Sequence, residues 1–183
     1  LPSVTDHFIE NQRQYLVMDF VEGEDLEQLQ LGLAAPLPEA QVVPWIEQIC
    51  DALDYLHSQN PPIIHRDIKP ANIKITPEGK AMLVDFGIAK EYDPHLKTTV
   101  GAQAVTPGFS PFEQYGRGTT DARTDIYALG ATLYNLLTGK EPPESIQRIN
   151  QDSLVPPSRY NLKISSHVES TIMQALAIHP TGR

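Results

Sequence analysis

The stretch Ile64 to Lys90, IHRDIKPANIKITPEGKAMLVDFGIAK, constrains the chain more than any other. It holds two polar clusters. The first is His65-Arg66-Asp67, then Lys69, then Asn72; the second is Asp85-Phe86-Gly87. Each follows an apolar run, Ile63-Ile64 or Met82-Leu83-Val84, as expected of side chains held at the ends of rigid strands. Between them, Ile73-Lys74-Ile75 and Met82-Leu83-Val84 flank Thr-Pro-Glu-Gly-Lys, whose Pro and Gly suit a tight turn. The predicted hairpin gathers Asp67, Lys69, Asn72 and Asp85 at one place. Two carboxylates, an amide oxygen and an ammonium form a donor set for Mg²⁺ and phosphate, because hard cations take oxygen ligands and Lys supplies a point charge. A solvated polar turn is the plain alternative for either cluster alone. The joint pattern is far more specific.

That pattern, HRDxKxxN followed by a strand and DFG, resembles the catalytic and metal-binding loops of eukaryotic-type Ser/Thr protein kinases, in detail the bacterial members. The resemblance implies an α+β, protein-kinase-like fold with a mostly helical C-lobe and a short N-lobe remnant. It implies ATP and Mg²⁺ as cofactors. Asp67 would accept or orient the substrate hydroxyl proton, and Lys69 would neutralise the γ-phosphate. Asn72 and Asp85 would hold the metal ions. Arg66 would pair with a phosphorylated threonine.

Length allows one domain or a piece of a larger one. With 14 basic and 23 acidic residues the net charge is −9, which disfavours nucleic acid or an anionic membrane surface as main partner. A single cysteine, Cys50, rules out an internal disulfide framework and fits a reducing compartment. No apolar run approaches a membrane span. The expected location is cytoplasmic, with no membrane contact from this segment.

Leu1 to Phe8 and Gln14 to Phe20 read as two strands around a polar turn. By the resemblance, residues 1–21 are the end of the N-lobe and the hinge, and residues 22–183 the C-lobe. Met18 then matches the gatekeeper. The carbonyl of Asp19 and the N–H of Val21 would bond the adenine edge, Asp25 would reach the ribose, and Leu26 would pack under the base. No GxGxxG motif and no VAIK-like lysine occur before the hinge. The family's glycine-rich loop, phosphate-anchoring lysine and glutamate-bearing helix would lie upstream of Leu1. The stretch alone is therefore expected to be inactive and to expose apolar surface around Val4, His65 and Phe86.

From Pro38-Glu39 to Asn60 an amphipathic helix is predicted, its stripe formed by Val42, Val43, Ile46, Ile49, Cys50, Leu53 and Leu56. Cys50 is placed in the core, as free cysteines usually are, and His57 at the packed helix end. Ile88 to Ser110 reads as a long loop in the activation-segment position. Thr98 and Thr99 there are either phosphorylation sites that pair with Arg66 or plain loop threonines. Thr106-Pro107 resembles the threonine that bonds the catalytic Asp and Lys in Ser/Thr kinases, implying Ser/Thr over Tyr specificity. Ser110-Pro111-Phe112-Glu113 falls where the family has Ala-Pro-Glu, with Phe112 in place of the Pro. Glu113 would then be buried against Arg183. Asp125 to Gly139 is apolar nearly all round, so an interior helix. By resemblance Asp125 would bond the HRD backbone, with His65, Phe86 and Val4 stacked towards that helix. Glu144 to Ser165 reads as a short helix plus loop, and Ser166 to Ile178 as an amphipathic helix. Lys74 departs from the apolar residue usual beneath the adenine. Either its stem covers the base while the ammonium reaches out, or it weakens nucleotide binding.

The function expected from these readings is ATP-dependent phosphorylation of protein Ser/Thr hydroxyls. A non-catalytic, kinase-like binding or scaffold module is the alternative, and a small-molecule kinase of the same fold a third. Partners would be nucleotide and a protein substrate, not nucleic acid.

Overall fold

One helix organises the interior. In the computed structural model, which describes residues 1–11, 13–33, 35–85, 90–91, 105–116 and 119–183, α3 (Ala122–Thr138) begins at Asp121. That side chain accepts the backbone N–H of Arg123, and the helix ends at Gly139 with φ 69°. Nearly every residue from Thr124 to Thr138 is buried. The helix starts a turn before the predicted Asp125 because Asp121 supplies the cap. Gly130 lets α5 (Ser166–Ala175) approach closely, since a Cβ there would lie 2.6 Å from the Cβ of Ala175.

α2 (Glu39–His57) packs on α3 with Val42, Ile46, Ile49, Leu53 and Leu56 inward. Cys50 is exposed, which corrects the core placement. It sits one residue, or about 100° of helix, from the buried Ile49. The other side of α2 docks on a hairpin of β5 (Ile73–Ile75) and β6 (Ala81–Leu83). There Trp45 donates to the Gly79 carbonyl at 3.2 Å, and Gln48 accepts the Ala81 N–H at 3.0 Å.

β5 pairs antiparallel with β6 and with β3 (Glu24–Asp25), giving a sheet of order β3-β5-β6. β4 (Ile63–Ile64) pairs with β7 (Lys90–Glu91), and β1 (Val4–Glu10) with β2 (Arg13–Met18). α1 (Leu26–Leu33), for which no helix was expected, follows β3 directly; α4 (Ser145–Arg148) is the short helix expected in its region.

Val4 is 57% exposed, so it does not stack towards α3. Of the three residues around which apolar exposure was expected, Val4 is exposed, as are Phe8, Ile9, Leu16 and Val17 on the same β1–β2 hairpin. His65 by contrast is fully buried. Phe86, Thr98 and Thr99 lie outside the described residues. Among the described residues no helix is long and apolar enough to cross a membrane.

Candidate functional site

The HRD turn hangs from the first turn of α3. Asp125, with no solvent exposure, accepts the backbone N–H of His65 at 2.9 Å and that of Arg66 at 2.8 Å. These bonds hold Arg66 at φ 69°, a left-handed conformation that costs energy for a side chain with a Cβ. The bend sends the next residue, Asp67, away from the core. His57, at the end of α2, adds a contact at 2.8 Å from its Nε2 to Asp125 Oδ2. His65 sits beneath the turn with Nε2 3.2 Å from the Val84 carbonyl, while its Nδ1 accepts the Asp67 N–H at 3.4 Å. Burial pushes its pKa below 6.5, against the raising influence first of Asp125. Its two partners fit the neutral Nε2–H tautomer. Arg66 reaches Thr120 Oγ1 at 2.9 Å; the threonines expected to meet it when phosphorylated are not among the described residues.

Asp67, Lys69, Asn72 and Thr106 form one cluster. Thr106 Oγ1 donates to Asp67 Oδ1 at 2.8 Å, and Lys69 Nζ lies 2.9 Å from Asp67 Oδ2 and 3.4 Å from Thr106 Oγ1. Asn72 Nδ2 donates to the Asp67 backbone carbonyl at 2.7 Å and to its carboxylate at 2.9 Å. Desolvation would raise the Asp67 pKa. Hydrogen bonds from Lys69, Thr106 and Asn72 and the Lys69 charge outweigh it and hold the carboxyl below its ordinary 3.8.

The Asn72 amide nitrogen is taken up by Asp67, which leaves the amide oxygen as the atom this side chain can offer a metal. The Val84 N–H donates to the Asn72 backbone carbonyl at 2.9 Å, which ties the end of β6 to this loop. Asp85 follows at φ 64° with an exposed side chain, and its charge reaches His65. An amide oxygen and a carboxylate on adjoining backbone segments are hard oxygen donors, and they fit Mg²⁺.

Thr106 is held by its own segment. Its N–H donates to Ser110 Oγ at 3.0 Å, and the Ser110 carbonyl accepts Ser145 Oγ at 2.8 Å. Gln114 donates to the Arg66 carbonyl at 2.9 Å, linking this segment back to the HRD turn. Phe112 stands edge-on to His179 with ring centroids 6.0 Å apart. Glu113 meets Arg183 at 2.5 Å in a pair whose side chains are 7% and 0% exposed.

A second group of predicted residues lies along the segment from β2 to α1. Met18 pairs with Val4, and the Asp19 N–H donates to the Ser3 carbonyl at 2.9 Å. Asp25 Oδ1 accepts the Gln28 N–H at 2.8 Å at the start of α1. Lys74 Nζ donates to the carbonyls of Val21 at 3.1 Å and Gly23 at 3.2 Å. Strand β5 connects the two groups, with Asn72 just before its first residue and Lys74 at its middle. Leu26 is fully buried in the core, which corrects its placement under a base.

Sequence reasoning did not anticipate the roles of His57, Ser110, Gln114 and Thr120, nor the acceptors of Lys74. Each depends on contacts between distant segments, such as the 68 residues separating His57 from Asp125. Only the residue type of His57, at a helix end just before HRD, was a signal.

The family profile described as "Protein kinase domain" matches residues 3–181. "Serine/threonine-protein kinase PknB" of Mycobacterium leprae is 34% identical over 177 residues, covering 92% of this chain and 28% of that protein. "Serine/threonine-protein kinase Pkn1" of Myxococcus xanthus is 37% identical over 189 residues, covering 93% of this chain and 26% of that protein. A solved structure, "PpkA-294 apo form", superposes with a TM-score of 0.80 at 30% identity and covers 100% of this chain and 63% of that one. The chain thus spans 28% or less of the length of these curated relatives.

Proposed function

Because the chain belongs to the protein kinase domain family, we propose that it carries the phosphoryl-transfer site of an ATP- and Mg²⁺-dependent serine/threonine protein kinase. The observation that carries this reading is the closed cluster of Asp67, Lys69 and Thr106, with Thr106 Oγ1 2.8 Å from Asp67 Oδ1. A hydroxyl is already seated on the carboxylate, and an ammonium stands beside both.

In this reading a protein Ser or Thr hydroxyl docks at Asp67. The ionised carboxylate accepts its hydrogen bond and orients the oxygen at the γ-phosphorus. The new O–P bond forms as the bond to the β-phosphate oxygen breaks, and the hydroxyl proton passes to Asp67. A carboxyl with a depressed pKa is a weak base, so orientation is its larger contribution and proton transfer comes late. Lys69 balances charge on the transferring group. Asn72 and Asp85 would hold Mg²⁺, which would supply charge neutralisation for the phosphates. Asp19, Val21 and Asp25 face the base and ribose, beside Met18. Residues 1–183 contain no GxGxxG loop, so this stretch alone would hold the metal- and hydroxyl-positioning half of the clamp and have little or no activity. A cytoplasmic setting is part of this reading, since ATP is the phosphoryl donor.

Calorimetric titration of the full-length protein with ATP tests this reading. The expected result is Mg²⁺-dependent binding that weakens by about tenfold or more in Asp85→Asn, the loss of one charged ligand interaction. Absence of binding, or the same affinity with and without Mg²⁺, would overturn it.

A further inference from the structure

The seat of the Thr106 hydroxyl on Asp67 marks where a substrate hydroxyl docks in the reading above. The chain turns sharply just beyond it. The Phe109 and Ser110 N–H groups both donate to the Thr106 carbonyl, at 3.1 and 2.9 Å, and Gly108 adopts φ 78°. This turn is pressed onto the segment that follows α3. A Cβ on Gly108 would fall 3.1 Å from the Pro142 carbonyl oxygen, 3.6 Å from Glu141 Cβ and 3.9 Å from Glu141 Oε2. Main-chain packing therefore sets Glu141 beside a residue only two places along the chain from Thr106, a span of about 7 Å at most.

A cavity of about 610 Å³ opens at the same place, with Glu141 in its lining. Two other lining residues tie it to the transfer cluster. Phe109 is hydrogen-bonded to Thr106, and Pro70 directly follows Lys69. The volume is that of a ligand site rather than of a packing defect. Phe109, Pro70 and Leu31 give it apolar wall, and its charged groups are Glu27, Lys140 and Glu141. Among the described residues none of these three is in an ion pair. Two carboxylates thus stand against one ammonium. An extended peptide advances about 3.3–3.6 Å per residue, so side chains within three residues of a hydroxyl docked at Asp67 come within reach of the cavity. A long cationic side chain matches both features of the lining, its aliphatic stem on the apolar wall and its head at the carboxylates. An acidic side chain would meet like charge there.

We propose that Glu141 is a specificity-determining residue, which seats in this cavity an arginine or lysine lying within three residues of the phosphorylated hydroxyl of the protein substrate. The inference rests on the phosphoryl-transfer reading above and adds a sequence preference to it. Glu27 contributes a second carboxylate from α1.

The test is kcat/KM of the full-length protein, with ATP and Mg²⁺, on peptides that share one threonine acceptor. They carry arginine, alanine or glutamate in turn at each of the three positions on either side. At one position or more, the arginine peptide is expected to exceed its alanine counterpart by about fivefold, the upper scale of a solvent-exposed ion pair, with the glutamate peptide below both. Glu141→Lys should invert that order and make the glutamate peptide the better substrate, a gain that a misfolded variant would not show. Absence of an arginine preference in the wild-type protein at every position would overturn the proposal. So would an arginine preference that Glu141→Lys leaves in place. Failure of the wild-type protein to phosphorylate any of these peptides or a mixed protein substrate would instead overturn the phosphoryl-transfer reading, and this inference with it.

Discussion

Replacing Asp67 by asparagine is expected to slow phosphoryl transfer by about 10²–10⁴-fold, the range for loss of a positioned general base. Nucleotide affinity should stay close to wild type, because the residues assigned to the base and ribose lie at the other end of β5. The variant removes the counter-charge of Lys69 and leaves one acceptor oxygen where Thr106, Lys69 and Asn72 now share two. The sign of the pH dependence follows from the depressed pKa. Asp67 is ionised at every pH above its ordinary 3.8, so it sets no acid limb of activity near neutrality. A carboxyl lowered on folding contributes stability above its unfolded pKa and loses it as pH falls through the lower, folded value. That contribution is modest for a side chain with this exposure, so the variant should fold. Single-turnover transfer rates beside nucleotide titrations would check the prediction, and a rate within tenfold of wild type would contradict it.

Arg183→Met is expected to destabilise the fold by about 3–5 kcal/mol, the cost of leaving a buried charge without its partner. For a chain of this size that lowers Tm by roughly 10 °C. Arg183 grips Glu113 through two nitrogens, at 2.5 and 3.2 Å. It also donates to the carbonyls of Ala177, Ile178 and Arg123, and its guanidinium lies 4.9 Å from the Tyr127 ring centre. The segment thus fastened carries Gln114, which holds the Arg66 carbonyl, so loosening it disturbs the HRD turn as well. Adding Glu113→Leu should recover only part of the loss. It removes the orphaned carboxylate but leaves those carbonyls without their donor. Urea unfolding of the two variants measures both effects, and a single-variant loss under about 1 kcal/mol would mean the pair is solvated.

The parts of this fold that were legible in the sequence are those encoded locally. Apolar periodicity marks α2, and near-continuous apolarity marks α3. The Pro-Glu-Gly turn marks the β5–β6 hairpin. The Asp67–Lys69–Asn72 spacing places three polar side chains on one loop, and the resemblance paired Glu113 with Arg183 across 70 residues. Other features depend on tertiary contacts that periodicity does not carry. Cys50 reads as part of an apolar stripe, yet Ile49 takes the inward position and two residues about 100° apart on one helix do not share it. Leu26 was placed beside a ligand, but the helix that begins with it turns the side chain into the core. Lys74 left two readings open because its acceptors are carbonyls more than 50 residues earlier, in a linker shaped by Gly23. His57 looked like an ordinary helix end, since nothing near it in the chain indicates that Asp125 lies beside it.

In the proposed function this cluster moves the γ-phosphate of ATP onto a serine or threonine hydroxyl. The most direct measurement is phosphoamino-acid analysis after incubating the full-length protein with γ-labelled ATP, Mg²⁺ and a mixed protein substrate, beside its Asp67→Asn variant. Label is expected on phosphoserine and phosphothreonine with the wild-type protein, and near-background label with the variant. Nucleotide binding without protein label would contradict it and favour a non-catalytic binding module, and label confined to tyrosine or to a small molecule would contradict the assigned substrate.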